Sequence, residues 1–191
     1  TDPDRYFARV ADLLENHGVP FVGVCWHLTD PATGLITWTG HRGTLPGDLV
    51  SAFENEFLED DAAKYGEIAS RRTPVAALVT ETGGRPAGSA RYRRDLAPDG
   101  FADELRIVFI DPYGRWGSMG LFNDEVYSAE EQAVAAALVA PVAHALRQAV
   151  ARAGLAAQDA PGAIVLDGED RVRTYDDRAA ELLAGAATTG V

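Results

Sequence analysis

The sequence predicts an α+β fold in which helices cover both faces of an antiparallel sheet, with a long helix in the C-terminal part. Three observations support this prediction. Apolar segments of strand composition occur in pairs joined by turns, helical periodicity opens the chain, and an alanine-rich helical pattern follows the last strand pair. Because strands joined by short turns pair antiparallel and helices must bury an apolar face, this order favours a layered fold.

The first predicted element is a helix from Asp4 to His17. Its apolar residues have helical spacing and are Phe7, Val10, Ala11 and Leu14. Gly18 follows at the position where a helix commonly ends, because glycine readily adopts the left-handed conformation of a C-terminal cap.

Two β-hairpins are predicted on either side of the middle of the chain. Residues 20–28 form an apolar strand, residues 29–34 supply the aspartate, proline and glycine of a turn, and residues 35–41 form the returning strand. Residues 104–110 and 116–122 form the second pair around the turn DPYGR.

The middle of the chain carries mainly helical composition. Residues 47–72 fit one long helix or two short ones equally well. Residues 74–80 predict a short strand, and residues 89–100 predict a short helix ended by Pro98 and Gly100.

A long helix is predicted after the second hairpin. Ser128 and Glu131 have the spacing of a capping box, and the helical pattern continues to about Ala153. The residues expected along its apolar side are Val134, Leu138, Val142, Ala145 and Ala149. Pro141 lies inside this helix and costs about 3 kcal/mol, so it predicts a kink or an accommodating neighbour.

The C-terminal part predicts a strand, a turn and a strand over residues 161–175, followed by the start of a helix. We therefore divide the chain into a principal domain, residues 1–155, and a short segment or linker, residues 156–191. We expect the first helix and the long helix to pack on one face of the sheet, which leaves residues 43–102 to cover the other face.

The composition excludes several classes of function. The 191 residues carry a formal net charge of -12, which repels phosphate backbones, so DNA contact is not expected in this part of a protein. The sequence contains no signal-peptide pattern and no uninterrupted apolar run of about 18 residues. We therefore expect a cytoplasmic protein without membrane contact. The single cysteine, Cys25, excludes an internal disulfide.

Five stretches of the sequence share features with one group of proteins, and they follow one another over most of the chain. They are WHLTDPATGLIT (26–37), FENEFLEDDAAKYGEIASRR (53–72), SARYRRDLAPDGFADELR (89–106), WGSMGLFND (116–124) and LRQAVAR with PGAIVLDGEDRVR (146–173). Together they resemble the N-terminal GAF-like sensor regions of actinobacterial LuxR-type helix-turn-helix regulators.

This resemblance implies a GAF-like sensory domain over residues 1–155. It implies that residues 156–191 are the opening of a truncated PAS-like segment with a β-hairpin. In such regulators a C-terminal helix-turn-helix contacts the DNA, and that segment is absent from this sequence. The resemblance supplies no ligand and no numbered binding residues.

The sequence contains no recognisable catalytic or metal-binding motif. Its histidines are neither paired nor supported by a second cysteine, and they are His17, His27, His41 and His144. Phosphate-loop, nucleophile-elbow and kinase motifs are also missing. We therefore expect no enzyme activity, no metal and no cofactor.

Two clusters of charged residues leave alternatives open. An acidic run can be a cation site or a solvated helix face that complements the helix dipole, and we favour the solvated face; it consists of Glu54, Glu56, Glu59, Asp60 and Asp61. An arginine cluster can bind an anion or pair with nearby acids, and structural pairing is favoured; it consists of Arg85, Arg91, Arg93 and Arg94.

A small-molecule sensor needs a concave apolar pocket with a few polar groups. Aromatic residues lie on or beside the segments expected around the second face of the sheet. With one arginine they form our candidate ligand-binding set, which is Trp26, Phe57, Tyr65, Arg91, Tyr92 and Trp116.

The sequence therefore predicts a non-catalytic sensor domain of a bacterial transcription regulator. It would bind an unknown small molecule or relay a signal to a DNA-binding domain, and we expect it to form a homodimer. The alternative is a dimerisation or interaction module without a ligand, in which the alanine-rich helix pairs two subunits.

Overall fold

The computed structural model describes residues 2–156, 162–169 and 171–188. The chain divides into two compact units, Thr1–Arg147 and Gln148–Val191. Residues 157–161, 170 and 189–191 of the predicted segment 156–191 lie outside the described residues.

The first unit contains a five-stranded antiparallel sheet with the strand order β2-β1-β5-β4-β3. Both predicted hairpins are present, and the hairpin strands β1 and β5 pair with each other at the centre of the sheet. The strands are β1 Gly23–Thr29, β2 Ile36–Gly43, β3 Val75–Ala77, β4 Asp103–Asp111 and β5 Gly114–Asn123.

Helices precede, separate and follow these strands. They are α1 Pro3–Asn16, α2 Leu49–Leu58, α3 Tyr65–Ala69, α4 Leu78–Glu81 and α5 Ala129–Ala156. The capping box that opens α5 is formed as predicted, because the Glu131 carboxylate accepts the Ser128 N–H at 2.6 Å and the Ser128 hydroxyl accepts the Glu131 N–H at 3.2 Å. The helix continues through Pro141, which is exposed.

The first face of the sheet packs against α1 and α5, as predicted. Side chains alternate between the faces of a strand, so Leu105, Ile107 and Phe109 of β4 all point to this side. The helices contribute Phe7, Val10, Ala11 and Leu14 from α1, and Ala135, Val139, Val142, Ala143 and Leu146 from α5.

By length and composition alone, residues Ala129–Arg152 of α5 are apolar enough to cross a membrane. However, one stripe of this helix, which includes Val139 and Leu146, is buried in the core beneath the sheet. A core helix of a globular domain has this character.

The second face of the sheet is covered by residues between β2 and β4, which confirms the expected role of 43–102. Ile68 of α3 and Leu96 pack there against Val108 and Phe122 of the sheet. Leu96 ends a π-helical turn, Tyr92–Leu96, which lies between two short 3-10 turns, Pro86–Gly88 and Ala97–Asp99.

The structure decides between the two arrangements predicted for residues 47–72, which form two short helices, α2 and α3, separated by residues 59–64. The predicted strand 74–80 is a strand only at Val75–Ala77, because the Asp103 carboxylate accepts the Val79 N–H at 2.9 Å and supports the first turn of α4.

The second unit contains the predicted hairpin, formed by β6 Ile164–Leu166 and β7 Val172–Tyr175, followed by α6 Asp177–Thr188. Asp176 ties the hairpin to the helix, because its carboxylate accepts the N–H groups of Ala163 and Ala179 at 3.0 and 2.7 Å. Gly162 lies so close to Ala179 that a Cβ atom would meet the Ala179 backbone at 2.3 Å.

Candidate functional site

A cavity of about 290 Å³ lies between the second face of the sheet and the segments that cover it. The floor is formed by strand residues, which include Cys25, His27, Thr39, His41, Glu104, Arg106 and Phe122. The covering residues come from the loop before α2, from α2 and α3, and from the π-helical turn with the residue before it, and they include Leu45, Pro46, Ala52, Phe53, Tyr65, Arg91, Asp95 and Leu96. Its volume is at the lower end of the range for small-molecule pockets.

Aromatic side chains form one wall of this cavity. The His27 ring lies 5.8 Å from the Tyr65 ring and 6.0 Å from the Phe53 ring, measured between centroids. The Arg106 guanidinium lies over the Tyr65 ring at 4.3 Å from its centroid, in cation–π geometry. Aromatic walls with a few fixed polar groups are the usual lining of small-molecule pockets.

A chain of buried charges borders the cavity and centres on Glu104 of β4. Its carboxylate accepts a hydrogen bond from Arg91 at 2.6 Å through one oxygen and from Arg106 at 2.7 Å through the other. Arg106 also donates to Glu56 of α2 at 2.7 Å. These four side chains are at most 8% exposed. Burial alone raises the pKa of Glu104, but the charges of Arg106 and Arg91 outweigh it and hold the pKa below its ordinary value.

The buried chain extends away from the cavity to Asp61. Arg91 donates to Asn55 at 3.0 Å, and the Asn55 amide donates to Asp61 at 2.8 Å. Burial raises the pKa of Asp61, whereas hydrogen bonds from the Arg91 N–H, Asn55, Ala62 and the Ser89 hydroxyl lower it more strongly, to about 2. Asp61 is therefore a charged anchor beneath the covering layer.

This network corrects our interpretation of the acidic run as a solvated, dipole-complementing helix face. Glu56 and Asp61 have side chains that are 8% and 3% exposed and are paired or hydrogen-bonded. Glu59 pairs with Arg94 at 2.7 Å. The first turn of α2 contains no acidic residue, so the run does not complement its dipole. The spacing along one helix could not show this, because the partners come from distant segments.

The arginine cluster contains structural pairs, as favoured from the sequence. Arg91 pairs with Glu104, and Arg94 pairs with Glu59. Arg93 donates instead to the backbone carbonyls of Ala87 and Gly88. Each of the three guanidinium nitrogens of Arg91 donates to a protein acceptor, so this side chain offers little to an anion.

Cys25 and His27 lie on the cavity side of β1, and both side chains are uncharged at neutral pH. Burial is the main reason that the pKa of the Cys25 thiol rises to about 12, so the thiol is protonated and a poor nucleophile. Burial, with the charges of Arg106 and Arg115, lowers the pKa of His27 to about 4. Its Nδ1 lies 3.1 Å from the Thr39 hydroxyl. In the described part of the chain, no group of three or more His, Cys, Asp or Glu side chains has a metal-binding arrangement.

Asp95 brings a different carboxylate to the cavity, on the π-helical turn Tyr92–Leu96. Its Oδ1 accepts a hydrogen bond from the Ser51 hydroxyl at 2.8 Å and a longer one from Arg94 at 3.4 Å. Its Oδ2 is buried and has no protein partner. Gly47 packs on this carboxylate with a φ of 59°, and a Cβ atom there would lie 2.8 Å from Oδ1. Glycine thus allows the loop before α2 to close over Asp95.

The structure brings together two of the six candidate ligand-binding residues. Tyr65 and Arg91 line the cavity. Tyr92 packs beside it, against the core of the covering layer. Trp26 and Trp116 lie on the opposite face of the sheet, in the core with α1 and α5. Strand alternation sets this placement for Trp26, whose indole donates to Asp4 of α1 at 2.8 Å.

The sixth candidate, Phe57, lies outside the cavity. Its side chain is 52% exposed and borders a shallow outer groove with Trp38 and Leu35. Phe53, one helical turn earlier, is the aromatic residue of α2 that reaches the cavity. The sequence could not choose between them, because α2 has apolar residues on more than one side.

Several residues that line the cavity were not predicted from the sequence, and they include His27, Phe53, Asp95 and Arg106. One signal was available. Glu104 and Arg106 alternate with Leu105 and Ile107 in β4, so two charged residues share one face of a strand. Charges repeated on one face of an internal strand predict buried ion pairs or a site. Asp95 had no comparable signal, because its position depends on the π-helical turn.

The fold is similar to those of solved GAF domains. The GAF domain of a two-component sensor histidine kinase from Bacillus halodurans matches with a TM-score of 0.55 and 15% identity, over 80% of this chain and 98% of that one. GAF3 of Slr1393 from Synechocystis sp. PCC6803, in its photoproduct state, matches with a TM-score of 0.51 and 14% identity, over 81% and 98%. The chain has a GAF-like fold. A scan against models of protein families and a search of curated proteins both found no match.

At this level of identity the likeness establishes the fold and no specific activity. It confirms the GAF-like character that the sequence stretches implied.

The depressed pKa of His27 predicts a loss of stability in mild acid. The unfolded chain binds a proton on this residue near pH 6.5, whereas the folded chain binds it only near pH 4. The free energy of unfolding should therefore fall by about 3 kcal/mol as the pH drops from 6.5 to 4. Urea unfolding at stepped pH should show a smaller fall for His27→Gln. A fall in His27→Gln as large as that of the wild type would contradict the assignment.

Glu104→Ala should destabilise the domain by about 3–5 kcal/mol, because it leaves the buried guanidiniums of Arg91 and Arg106 without their shared carboxylate. Glu54→Ala removes the same group from an exposed position of α2 and should change the stability by no more than about 0.5 kcal/mol. Chemical denaturation of both variants at pH 7 measures the difference. Small losses of stability of similar size in both variants would show that the buried charge network contributes little to the free energy of unfolding.

Proposed function

We propose that this chain is a sensory module that binds a small molecule in the cavity between β1, β4 and the covering layer. The observation that carries this proposal is a cavity of about 290 Å³ with aromatic walls and fixed polar groups in a GAF-like fold. We infer no catalytic role, because the Cys25 thiol is protonated and the buried charges around Glu104 are mutually paired.

We further propose that the module belongs to a LuxR-type transcription regulator of an actinobacterium and acts in the cytoplasm. The five sequence stretches that resemble such regulators support this context. The net charge of -12 agrees with DNA contact through a C-terminal helix-turn-helix rather than through this surface. Residues 156–191 would begin the PAS-like segment of that arrangement.

The sheet provides a physical route from the cavity to α5. Glu104 and Arg106 of β4 face the cavity, whereas Leu105 and Ile107 of the same strand face the core with α5. At the start of the strand, the Asp103 carboxylate accepts the Tyr127 N–H at 3.1 Å, just before α5 begins. A ligand alters α5 only if it binds two arrangements of this strand with different affinities.

Ala52→Phe tests the ligand cavity directly. Ala52 lines the cavity from α2, so a phenyl ring at this position would fill the space that a ligand needs. Fragments that bind the wild type in NMR or thermal-shift screens should bind this variant at least about tenfold more weakly. Val50→Phe, at a 67% exposed position of the same helix, is the matched control and should bind normally. Unchanged binding to Ala52→Phe, or no binding by any fragment of a broad library, would overturn the proposal.

A second candidate function is dimerisation through α5. Exposed small residues lie along the side of this helix away from the core, at Ala133, Ala137 and Ala140. Small side chains let two helices approach closely, and a homodimer would hold two output domains at a fixed spacing.

Light scattering of the full chain tests this candidate. The wild type should have the mass of a dimer, and Ala137→Arg should be monomeric because a long charged side chain prevents close approach. Ala32→Arg, at an exposed turn, should remain dimeric. A wild-type chain that stays monomeric at high concentration would exclude dimerisation as a function of this chain.

A further inference from the structure

Asp95 lines the cavity, and one of its carboxylate oxygens has no hydrogen-bond partner in the protein. Among the cavity-lining residues that the structure describes, its Oδ2 is the buried side-chain oxygen or nitrogen atom without a partner. The residue is 5% exposed, so the oxygen cannot rely on bulk water. A buried carboxylate oxygen without a partner is costly, which indicates that a donor normally lies beside it.

The carboxylate is held in place rather than free to turn away. The Ser51 hydroxyl fixes Oδ1 at 2.8 Å, and Gly47 packs against the same group. The π-helical turn that carries Asp95 is a rare backbone form that recurs at functional sites. Oδ2 is therefore preorganised to accept a hydrogen bond from a ligand.

The charges of the lining favour a cation over an anion. Two guanidiniums, of Arg91 and Arg106, face four carboxylates, which are those of Asp48, Glu56, Asp95 and Glu104. Both arginines donate to Glu104, and Arg106 also donates to Glu56, so their charges are already paired within the protein. Asp95 has one long ion pair, with the Arg94 guanidinium at 3.4 Å from Oδ1, so an anion would meet a weakly compensated negative charge that a cation would neutralise.

The volume and the walls limit the size and character of the ligand. A cavity of about 150 Å³ holds benzene, so 290 Å³ fits a molecule of one or two rings. The rings of Phe53 and Phe122 and the side chains of Leu45 and Leu96 provide an apolar surface for its body. A ligand that fits this cavity would also carry one polar end, placed near Asp95.

We propose that the cavity binds a small organic cation, a one- or two-ring molecule whose protonated amine donates a hydrogen bond to Oδ2 of Asp95. This inference rests on the proposed function, since it names the class of ligand for the same cavity. Arg91 of the arginine cluster, which the sequence left open as an anion site, contributes an ion-paired guanidinium to the cavity wall instead.

Two matched sets of fragments test the charge class by calorimetry. The first set is phenethylamine, 2-phenylethanol and phenylacetate, and the second is tryptamine, tryptophol and indole-3-acetate. Within each set the amine should bind the wild type about tenfold more tightly than the alcohol, because a hydrogen bond to a charged group is the strongest kind available here. The carboxylate should bind most weakly.

Asp95→Asn keeps the shape of the side chain and removes its charge. The amines should lose about tenfold or more in affinity for this variant, and the alcohols should change by less than about threefold. Asp60→Asn makes the same change at an exposed residue outside the cavity and should leave all six affinities unchanged. Melting temperatures of the variants, compared with the wild type, verify that both remain folded.

The outcomes separate the two proposals. If the alcohols or carboxylates bind best, or if Asp95→Asn leaves amine binding unchanged, the cation inference is overturned and the ligand cavity stands. If none of the six fragments binds the wild type, the cation inference is also overturned, and the broad library screened against Ala52→Phe decides separately whether the cavity binds a ligand.

Discussion

The buried carboxylate of Glu104 is the interaction on which the architecture of the site depends. It holds Arg91, which precedes the π-helical turn, and Arg106, which reaches Glu56 of α2. One residue of the sheet thereby fixes both segments that cover the cavity. Ion pairs this deeply buried are costly to desolvate and give little net stability over an apolar replacement. Their value here is that they define where the covering layer lies.

This network also explains why the cavity remains open. Apolar side chains alone would collapse to fill the space, because protein interiors pack densely. The charged chain and the aromatic ring of Tyr65, with Arg106 stacked over it, hold the covering layer away from the sheet. This frame, beside one unsatisfied acceptor of Asp95, leaves a space lined by both apolar and polar side chains.

The two faces of the sheet have separate roles that meet in β4. Its apolar side chains anchor α1 and α5, and its charged side chains anchor the cavity layer. Because adjacent residues of one strand serve both faces, a shift of the strand on one side changes the packing on the other. This arrangement explains the apolar composition of α5, because one stripe of the helix packs in the core on the first face of the sheet.

The sequence by itself determined the antiparallel α+β fold, both hairpins, the N-terminal cap of α5 and which segments cover each face of the sheet, because periodicity and turn residues act over short distances. It determined too that Tyr65 and Arg91 lie in the segments around the cavity. Only the tertiary structure decided that Trp26 and Trp116 face the other side and that Glu56 is buried. It alone also placed Asp95 at the cavity wall. These outcomes depend on contacts between residues far apart in the chain, such as Glu56 with Arg106 and Ser51 with Asp95, which no local pattern encodes.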